Sequence, residues 1–226
     1  MGRRATAPDR TRCRGLGPAR FRHRAPGRFR FTKEEYVDWL VQRLERVGEP
    51  VDLVGHDWGC ILTLRVASLR PDLVRTWAGG NGPVDSAYPW HPLARTWQDP
   101  VEGDRFMSEL RAGPFAEDLA AGFDVPVGPA GEMAGRVDEP MKDAILRLYR
   151  SAVTMGAEWE PGLSAVSAPC QVFWGALDPA CPVEFGRRLG ASLRAPDVIE
   201  LDCNHWTVLQ RPAEVAGILL RHWSAR

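Results

Sequence analysis

The apolar positions of this chain change period several times, and the sharpest change falls just after residue 54. Val51, Leu53 and Val54 form a short run of β type, which predicts a strand. From residue 60 the pattern is apolar on nearly every side (Cys60, Ile61, Leu62, Leu64, Val66, Leu69) and stops before Pro71, as a buried helix does. Upstream, Thr32-Lys33-Glu34-Glu35 fits a capping box, and Tyr36, Trp39, Leu40, Leu44 and Val47 then recur at helical spacing until Gly48. Residues 74–78 predict the next strand, ending in Gly79-Gly80-Asn81-Gly82-Pro83. Strand, helix and strand at this spacing predict parallel β-α-β units, hence an α/β fold.

From residue 84 to about 165 the periodicity is helical and broken by Pro and Gly, with candidate helices over 104–110, 114–121 and 139–155. Strands follow at 170–174 and 198–201, each running into a polar turn. The first turn is Gly175-Ala176-Leu177-Asp178-Pro179 and the second Asp202-Cys203-Asn204-His205-Trp206-Thr207. Pro212 opens a last helix with Val215, Ile218, Leu219 and Trp223 on one face.

A length of 226 residues fits one domain with a sizeable core, or a core carrying a small insertion. The formal net charge of zero conceals a split at residue 30. Residues 1–30 hold ten Arg and one acid, 10 − 1 = +9, so the remainder, with 19 basic and 28 acidic residues, carries −9. This Arg-, Gly- and Pro-rich leader shows no period and is expected to be disordered. A nucleic-acid arm or a targeting peptide is disfavoured for it, because it has no lysine and its Pro and Gly break any amphipathic helix. A truncated or out-of-frame start is the favoured reading. Five cysteines (Cys13, Cys60, Cys170, Cys181, Cys203), odd in number and without paired spacing, indicate neither a disulfide framework nor a metal site and fit a reduced cytoplasm. No run is long and apolar enough for a membrane span.

The chemistry gathers at the strand ends. Asp57 sits between Gly55 and Gly59 at the break from strand to helix, where the helix N-terminus favours an ionised carboxylate. The plain alternative is an N-capping aspartate. G-H-D-W-G resembles the nucleophile elbow of the α/β-hydrolase fold with aspartate as nucleophile, as in epoxide hydrolases and haloalkane dehalogenases. D-C-N-H-W-T, followed by R-P-A-E-V, is similar to the corresponding segment of soluble epoxide hydrolases, so the resemblance covers about residues 32–226. It implies a parallel-sheet core over 31–83 and 166–226, a helical cap over 84–165, and a triad in the order Asp57, Asp178, His205. Asp57 would form an ester with the substrate, and His205, oriented by Asp178, would activate the water that hydrolyses it. The alternatives are a surface-turn role for Asp178 and a packing role for His205.

An opened epoxide needs a proton, which the resembling hydrolases supply from cap tyrosines. Of Tyr36, Tyr88 and Tyr149, the segment Leu148-Tyr149-Arg150 matches the family's cap pattern and makes Tyr149 the donor. Leu93 stands about where a second tyrosine is expected. A halide would instead need indole N–H donors: Trp58 first, with Trp90, Trp97 or Trp206 as the second. The Trp58 backbone N–H is expected to form half an oxyanion hole. The H-G-x-P loop that provides the other half in the family is missing, as are the first strands, so the elbow strand is expected at a sheet edge. The resemblance thus implies a hydrolase of small hydrophobic organic substrates that needs no cofactor, acting on epoxides or alternatively on haloalkanes. A non-catalytic remnant is the third reading.

Overall fold

A computed structural model of the protein describes residues 29–224, and the Arg-rich stretch before Phe29 lies outside the described residues. Phe29 already packs edge-on against Tyr36, ring centroids 5.1 Å apart. Helix α1 (Lys33–Glu45) begins at Thr32, whose hydroxyl accepts the Glu35 N–H at 3.3 Å. The reciprocal half of the expected capping box is not made, because the Glu35 carboxylate takes the Arg30 backbone N–H instead. The helix also stops short of Val47, which is 42% exposed.

Four parallel strands follow in the spatial order of the sequence: β1 (Val51–His56), β2 (Val74–Gly80), β3 (Cys170–Gly175) and β4 (Val198–Leu201). Each strand runs a residue or two beyond its apolar run where glycines follow, because Gly55, Gly79 and Gly80 stay in the ladder. Two of these glycines cannot be replaced without moving backbone. A Cβ on Gly80 would lie 1.6 Å from the Phe173 carbonyl oxygen, and one on Gly79 2.5 Å from that of Gly55. Among the described residues β1 is one edge of the sheet, as expected, and its Val54 is 40% exposed.

Alternation along β3 divides the core. Val172 and Trp174 face a layer formed by α1, α2 (Trp58–Leu69) and α9 (Val183–Ser192), with Tyr36, Leu40, Leu64, Val66, Phe185 and Leu189 buried against them. Phe173, between them, faces Val215 and Ile218 of α11 (Pro212–Ser224) on the other side. Each such buried side chain contributes about 1.5–3 kcal/mol. Leu69, read from the sequence as part of the buried helix face, is half exposed at the end of α2.

Between β2 and β3 the chain forms six helices: α3 (Pro92–Gln98), α4 (Pro100–Glu109), α5 (Ala112–Phe123), α6 (Val127–Ala134), α7 (Glu139–Ser151) and α8 (Met155–Trp159). The sequence located α4, α5 and α7, ran α7 on into α8, and missed α3 and α6, both of eight residues or fewer. This insertion bears on the C-terminal edge of the sheet in two places. Leu119, Val125 and Ala130 of the α5–α6 hairpin form a small apolar cluster with Trp206 and with Leu209 of the short α10 (Thr207–Gln210), just beyond β4. Tyr149 of α7 rests against Trp58, the first residue of α2.

Candidate active site

All four parallel strands deliver a side chain from the turn after their C-terminal end, the region where ligands gather in such sheets. Asp57 follows β1, Asn81 follows β2, Asp178 follows β3 and His205 follows β4. Asp57 holds φ 54° and ψ −125°, a left-handed conformation strained for a residue with a side chain. Its N–H donates to the Gly80 carbonyl at 3.1 Å, and its carbonyl accepts from Ile61 at 3.2 Å, so the strand on one side and α2 on the other enforce it. Its side chain makes no capping hydrogen bond, so it is not an N-cap in the ordinary sense, and it keeps 35% of its surface.

The glycines around this turn are not equivalent. At Gly55 a Cβ would come within 2.4 Å of the Gly59 carbonyl oxygen, and at Gly82 within 2.2 Å of the Asp57 carbonyl oxygen. Gly59, which the sequence motif suggested was equally constrained, has nothing within 4 Å of a built Cβ. The tight approach is therefore made by Gly55 and by Gly82, and the spacing around Asp57 shows only the first.

His205 lies between the two carboxylates. Its Nδ1 is 2.8 Å from Asp178 Oδ2 and its Nε2 is 3.7 Å from Asp57 Oδ1, too long for a direct hydrogen bond. Asp178 is no surface-turn residue, because its side chain is fully buried. Its Oδ1 does accept the Ala180 and Cys181 N–H groups at 2.8 and 2.9 Å, which fixes the turn, and its Oδ2 faces His205. Burial pushes the Asp178 carboxyl up, yet the hydrogen bond and charge of His205, the Cys181 N–H and the Asn81 amide outweigh it and hold the group below the usual range. For His205, burial favours the neutral ring, but the hydrogen bond to Asp178 and the charges of Asp57 and Asp178 raise its pKa above the ordinary value.

Asn81 went unrecognised in the sequence, inside a run that reads as turn. It is fully buried at φ 55°, donates Nδ2–H to Asp178 Oδ2 at 2.7 Å and accepts the Thr207 hydroxyl at Oδ1 at 3.3 Å. His56, beside Asp57, was also passed over. Its Nε2 is 2.7 Å from the His205 backbone carbonyl oxygen.

Above Asp57 stands an aromatic wall. Trp58 stacks on Trp90 with centroids 5.9 Å apart, and Tyr149 meets the faces or edges of Trp58, Trp90 and Trp97 at 5.3, 5.7 and 4.8 Å. Burial, reinforced by the charge of Asp57, pushes the Tyr149 phenol well above its usual pKa, and the hydrogen bond from the Trp58 indole offsets only part of this. Tyr149 is therefore a protonated phenol within the field of the carboxylate. The other two tyrosines are committed elsewhere. Tyr36 lies in the core under α1, and the Tyr88 hydroxyl donates to the Ala180 carbonyl at 2.7 Å. Leu93 offers no proton. Of the indoles considered as a second donor, Trp90 donates to the Val153 carbonyl at 3.3 Å, Trp206 packs against both His56 and His205, and the buried Trp97 N–H has no partner.

Trp58 opens α2, where the first N–H groups have no acceptor within the helix, and this supplies donors beside the Asp57 carboxyl. Two cavities lie elsewhere. One of about 460 Å³ opens at the other end of β3 and one of about 200 Å³ lies beside Tyr88 and Trp90, and neither is lined by Asp57, Tyr149 or His205. Asp178, Cys181 and His205 bring one possible metal ligand each within 4.8 Å of one another. Their chemistry is that of a hydrogen-bonded set, however: Asp178 and His205 already satisfy one another, and burial pushes the Cys181 thiol well above its ordinary pKa, away from the thiolate a metal needs. Cys60, Cys170, Cys181 and Cys203 are all buried. Among the described residues no helix is long and apolar enough to cross a membrane.

Comparison with known proteins agrees with this architecture. Residues 2–218 match the alpha/beta hydrolase family. A haloalkane dehalogenase of Mycolicibacterium paratuberculosis (strain ATCC BAA-968 / K-10) is 27% identical over 194 residues, a match covering 79% of this chain and 60% of that protein. The chain thus spans about 60% of the length of this curated relative. Among solved structures, a 2-hydroxy-6-oxo-6-phenylhexa-2,4-dienoate hydrolase from Rhodococcus sp. strain RHA1 is similar at TM-score 0.68 and 18% identity, over 88% of this chain and 75% of that one. An alpha/beta hydrolase enzyme from a Medee basin deep-sea metagenome library reaches TM-score 0.72 at 15% identity, over 88% and 74%. At these identities the two structures speak for the fold. With the matched profile spanning nearly the whole sequence and a strand-turn-helix elbow at Asp57, the chain belongs to the alpha/beta hydrolase family.

Proposed function

We propose that this hydrolase opens epoxides through an ester on Asp57, with Asp57, Asp178, His205 and Tyr149 as the reacting set. The observation that carries the reading is Tyr149, a phenol kept protonated beside the nucleophile and contacted by the Trp58 indole. In the first step an Asp57 oxygen attacks a ring carbon, the carbon–oxygen bond breaks, and the departing oxygen takes the Tyr149 proton. Negative charge then moves from Asp57 to Tyr149 rather than doubling, because esterification removes the carboxylate charge that adds to burial in raising the phenol pKa.

In the second step a water beside His205 Nε2 and the esterified carboxyl gives its proton to His205 and attacks the ester carbon. N–H groups at the start of α2, that of Trp58 first, stabilise the oxyanion. Collapse expels the diol, its departing oxygen taking the proton from His205, and the proton of the re-formed Asp57 carboxyl returns to Tyr149. Asp178 keeps the Nδ1 proton of His205 in place, leaving Nε2 free as base. The substrate is a small hydrophobic epoxide, in keeping with the aromatic wall, and the helical insertion acts as its cap.

A single turnover of styrene oxide in ¹⁸O-water tests this. Label is expected in the Asp57 carboxylate, and label in the diol with none in Asp57 would reject the ester in favour of direct water attack.

Haloalkane hydrolysis by the same ester is the second reading. It is favoured by the name of the curated relative and by the buried Trp97 N–H, which lacks a partner and lies in the ring cluster around Tyr149. Halide release from 1-bromobutane, set against diol formation from styrene oxide, separates the two.

A further inference from the structure

His56 ends β1 one residue before the nucleophile, and its ring is directed at a different strand's loop. Its Nε2 lies 2.7 Å from the His205 backbone carbonyl oxygen, across 149 residues of sequence. Its ring sits 5.1 Å from the His205 ring and 5.4 Å from that of Trp206. A carbonyl only accepts hydrogen bonds, so Nε2 of His56 must carry the proton. The ring stays neutral while it donates, because burial and the neighbouring His205 lower its pKa to about 4.

We propose that His56 is a positioning residue that holds His205 in place for the ester-hydrolysis half of the reaction. The proposal rests on the aspartyl-ester reading above. The His205 main chain is held at both ends. Its carbonyl accepts from His56 and from the Thr207 N–H at 3.0 Å, and its N–H donates to Asn204 Oδ1 at 2.7 Å. Asp178 fixes the ring at Nδ1 but leaves the backbone carrying it free to shift. His56 supplies a tie from that backbone to the strand bearing Asp57. The strand is itself in register with β2, His56 opposite Gly80, and the Asp57 N–H donates to the same Gly80. The 3.7 Å separation between His205 Nε2 and Asp57 Oδ1, beside which the hydrolytic water must sit, is thereby set by a short route through adjacent residues.

This role separates the two chemical steps. Alkylation of Asp57 needs the elbow and Tyr149 and does not use His205. Hydrolysis of the ester needs His205 Nε2 placed against a water, and a misplacement of about 1 Å costs about 100-fold. His56→Phe keeps a ring of similar size and removes the donor, whereas His56→Gln keeps a donor on a flexible side chain.

The test uses the full chain, rapid quenching and intact-protein mass spectrometry with styrene oxide and with 1-bromobutane. For His56→Phe the rate of ester formation is expected within about threefold of wild type, with ester hydrolysis slowed by about 10- to 100-fold so that alkylated protein accumulates at steady state. His56→Gln is expected to recover most of the hydrolysis rate. Equal slowing of both steps, or an unchanged hydrolysis rate in His56→Phe, overturns the proposal. Should wild type form no covalent adduct with either substrate, the aspartyl-ester reading falls, and NMR of the His205 ring then decides the positioning role by itself. Altered His205 ring shifts and a changed His205 titration in His56→Phe, restored in His56→Gln, support the tie, and spectra unchanged at His205 reject it.

Discussion

Asn81 and His205 donate to the same carboxylate oxygen, Asp178 Oδ2, from 2.7 and 2.8 Å, one from the turn after β2 and the other from the turn after β4. Two donors converging on one buried oxygen fix the carboxylate plane and share its charge. Asn81→Leu should therefore leave Asp178 short of a donor in a buried site, at a cost of about 1–3 kcal/mol. Urea unfolding reads this loss. Asn81→Asp should be worse, because it places a second carboxylate against the first, and one of the pair must then hold a proton. A stability profile that improves as pH is lowered, for Asn81→Asp alone, is the expected signature.

On the proposed mechanism, loss of His205 as general base should separate the two chemical steps. In His205→Gln the ester on Asp57 is expected to form and persist, visible as a mass increase equal to the substrate for an epoxide. Asp178→Asn keeps the shape of the set but presents the wrong hydrogen-bonding partner to Nδ1, and should slow turnover by about 10⁴. Asp57→Ala should form no adduct at all.

On the proposed mechanism, the proton donor Tyr149 can be separated from the nucleophile Asp57 by substrate. Tyr149→Phe should slow ring opening of styrene oxide by about 10² to 10⁴ and leave attack on 1-bromobutane nearly untouched, since bromide needs no proton. Trp97→Phe should show the opposite preference if its buried N–H holds a halide. Stopped-flow adduct formation with both substrates reads the comparison.

The pH dependence carries a sign fixed by the site. In the proposed role His205 must be neutral to act as base, so activity should fall as pH is lowered through its raised pKa. After the hydrogen bond to Asp178, the negative charge of Asp57 is a cause of the raised value, and ester formation moves that charge away from the carboxylate oxygen 3.7 Å from Nε2. The acid limb for ester hydrolysis should therefore lie at lower pH than the His205 titration in the free protein. Single-turnover decay of the ester across pH, compared with NMR titration of His205, checks the displacement, and coincident limbs would contradict it.

Two glycine substitutions should differ sharply. Gly82→Ala puts a Cβ 2.2 Å from the Asp57 carbonyl oxygen and should prevent the elbow from closing, whereas Gly59→Ala meets nothing and should add about 0.5–1 kcal/mol to α2. Thermal melts of both variants measure the contrast.

The legibility of these features followed their locality. Asp57, Asp178 and His205 each stand a few residues beyond a short apolar run, so the strands announced the positions and the turn chemistry announced the residues. The ends of β1 and β2 were read short because glycine carries no hydrophobic signal, although here it belongs to the ladder. Asn81 was hidden for the same reason, embedded in Gly79-Gly80-Asn81-Gly82 and indistinguishable from ordinary turn residues. The available clue was its place directly after a parallel strand, where the neighbouring turns had already yielded acidic and basic candidates. His56 was overlooked because its partner lies 149 residues away. Helices α3 and α6 were missed because seven and eight residues give too few turns for a period to show.

The aromatic wall also gives the reaction a built-in optical signal. Trp58 follows the nucleophile directly and stacks on Trp90, so converting Asp57 from anion to neutral ester changes the local electric field at two indoles at once. Trp77 and Trp174, buried in the core with their N–H groups bound to Thr63 and to the Cys181 carbonyl, provide a constant background emission. Formation and decay of the ester should appear as two successive changes in intrinsic fluorescence, and a Trp90→Phe variant should reduce their amplitude without altering the number of phases.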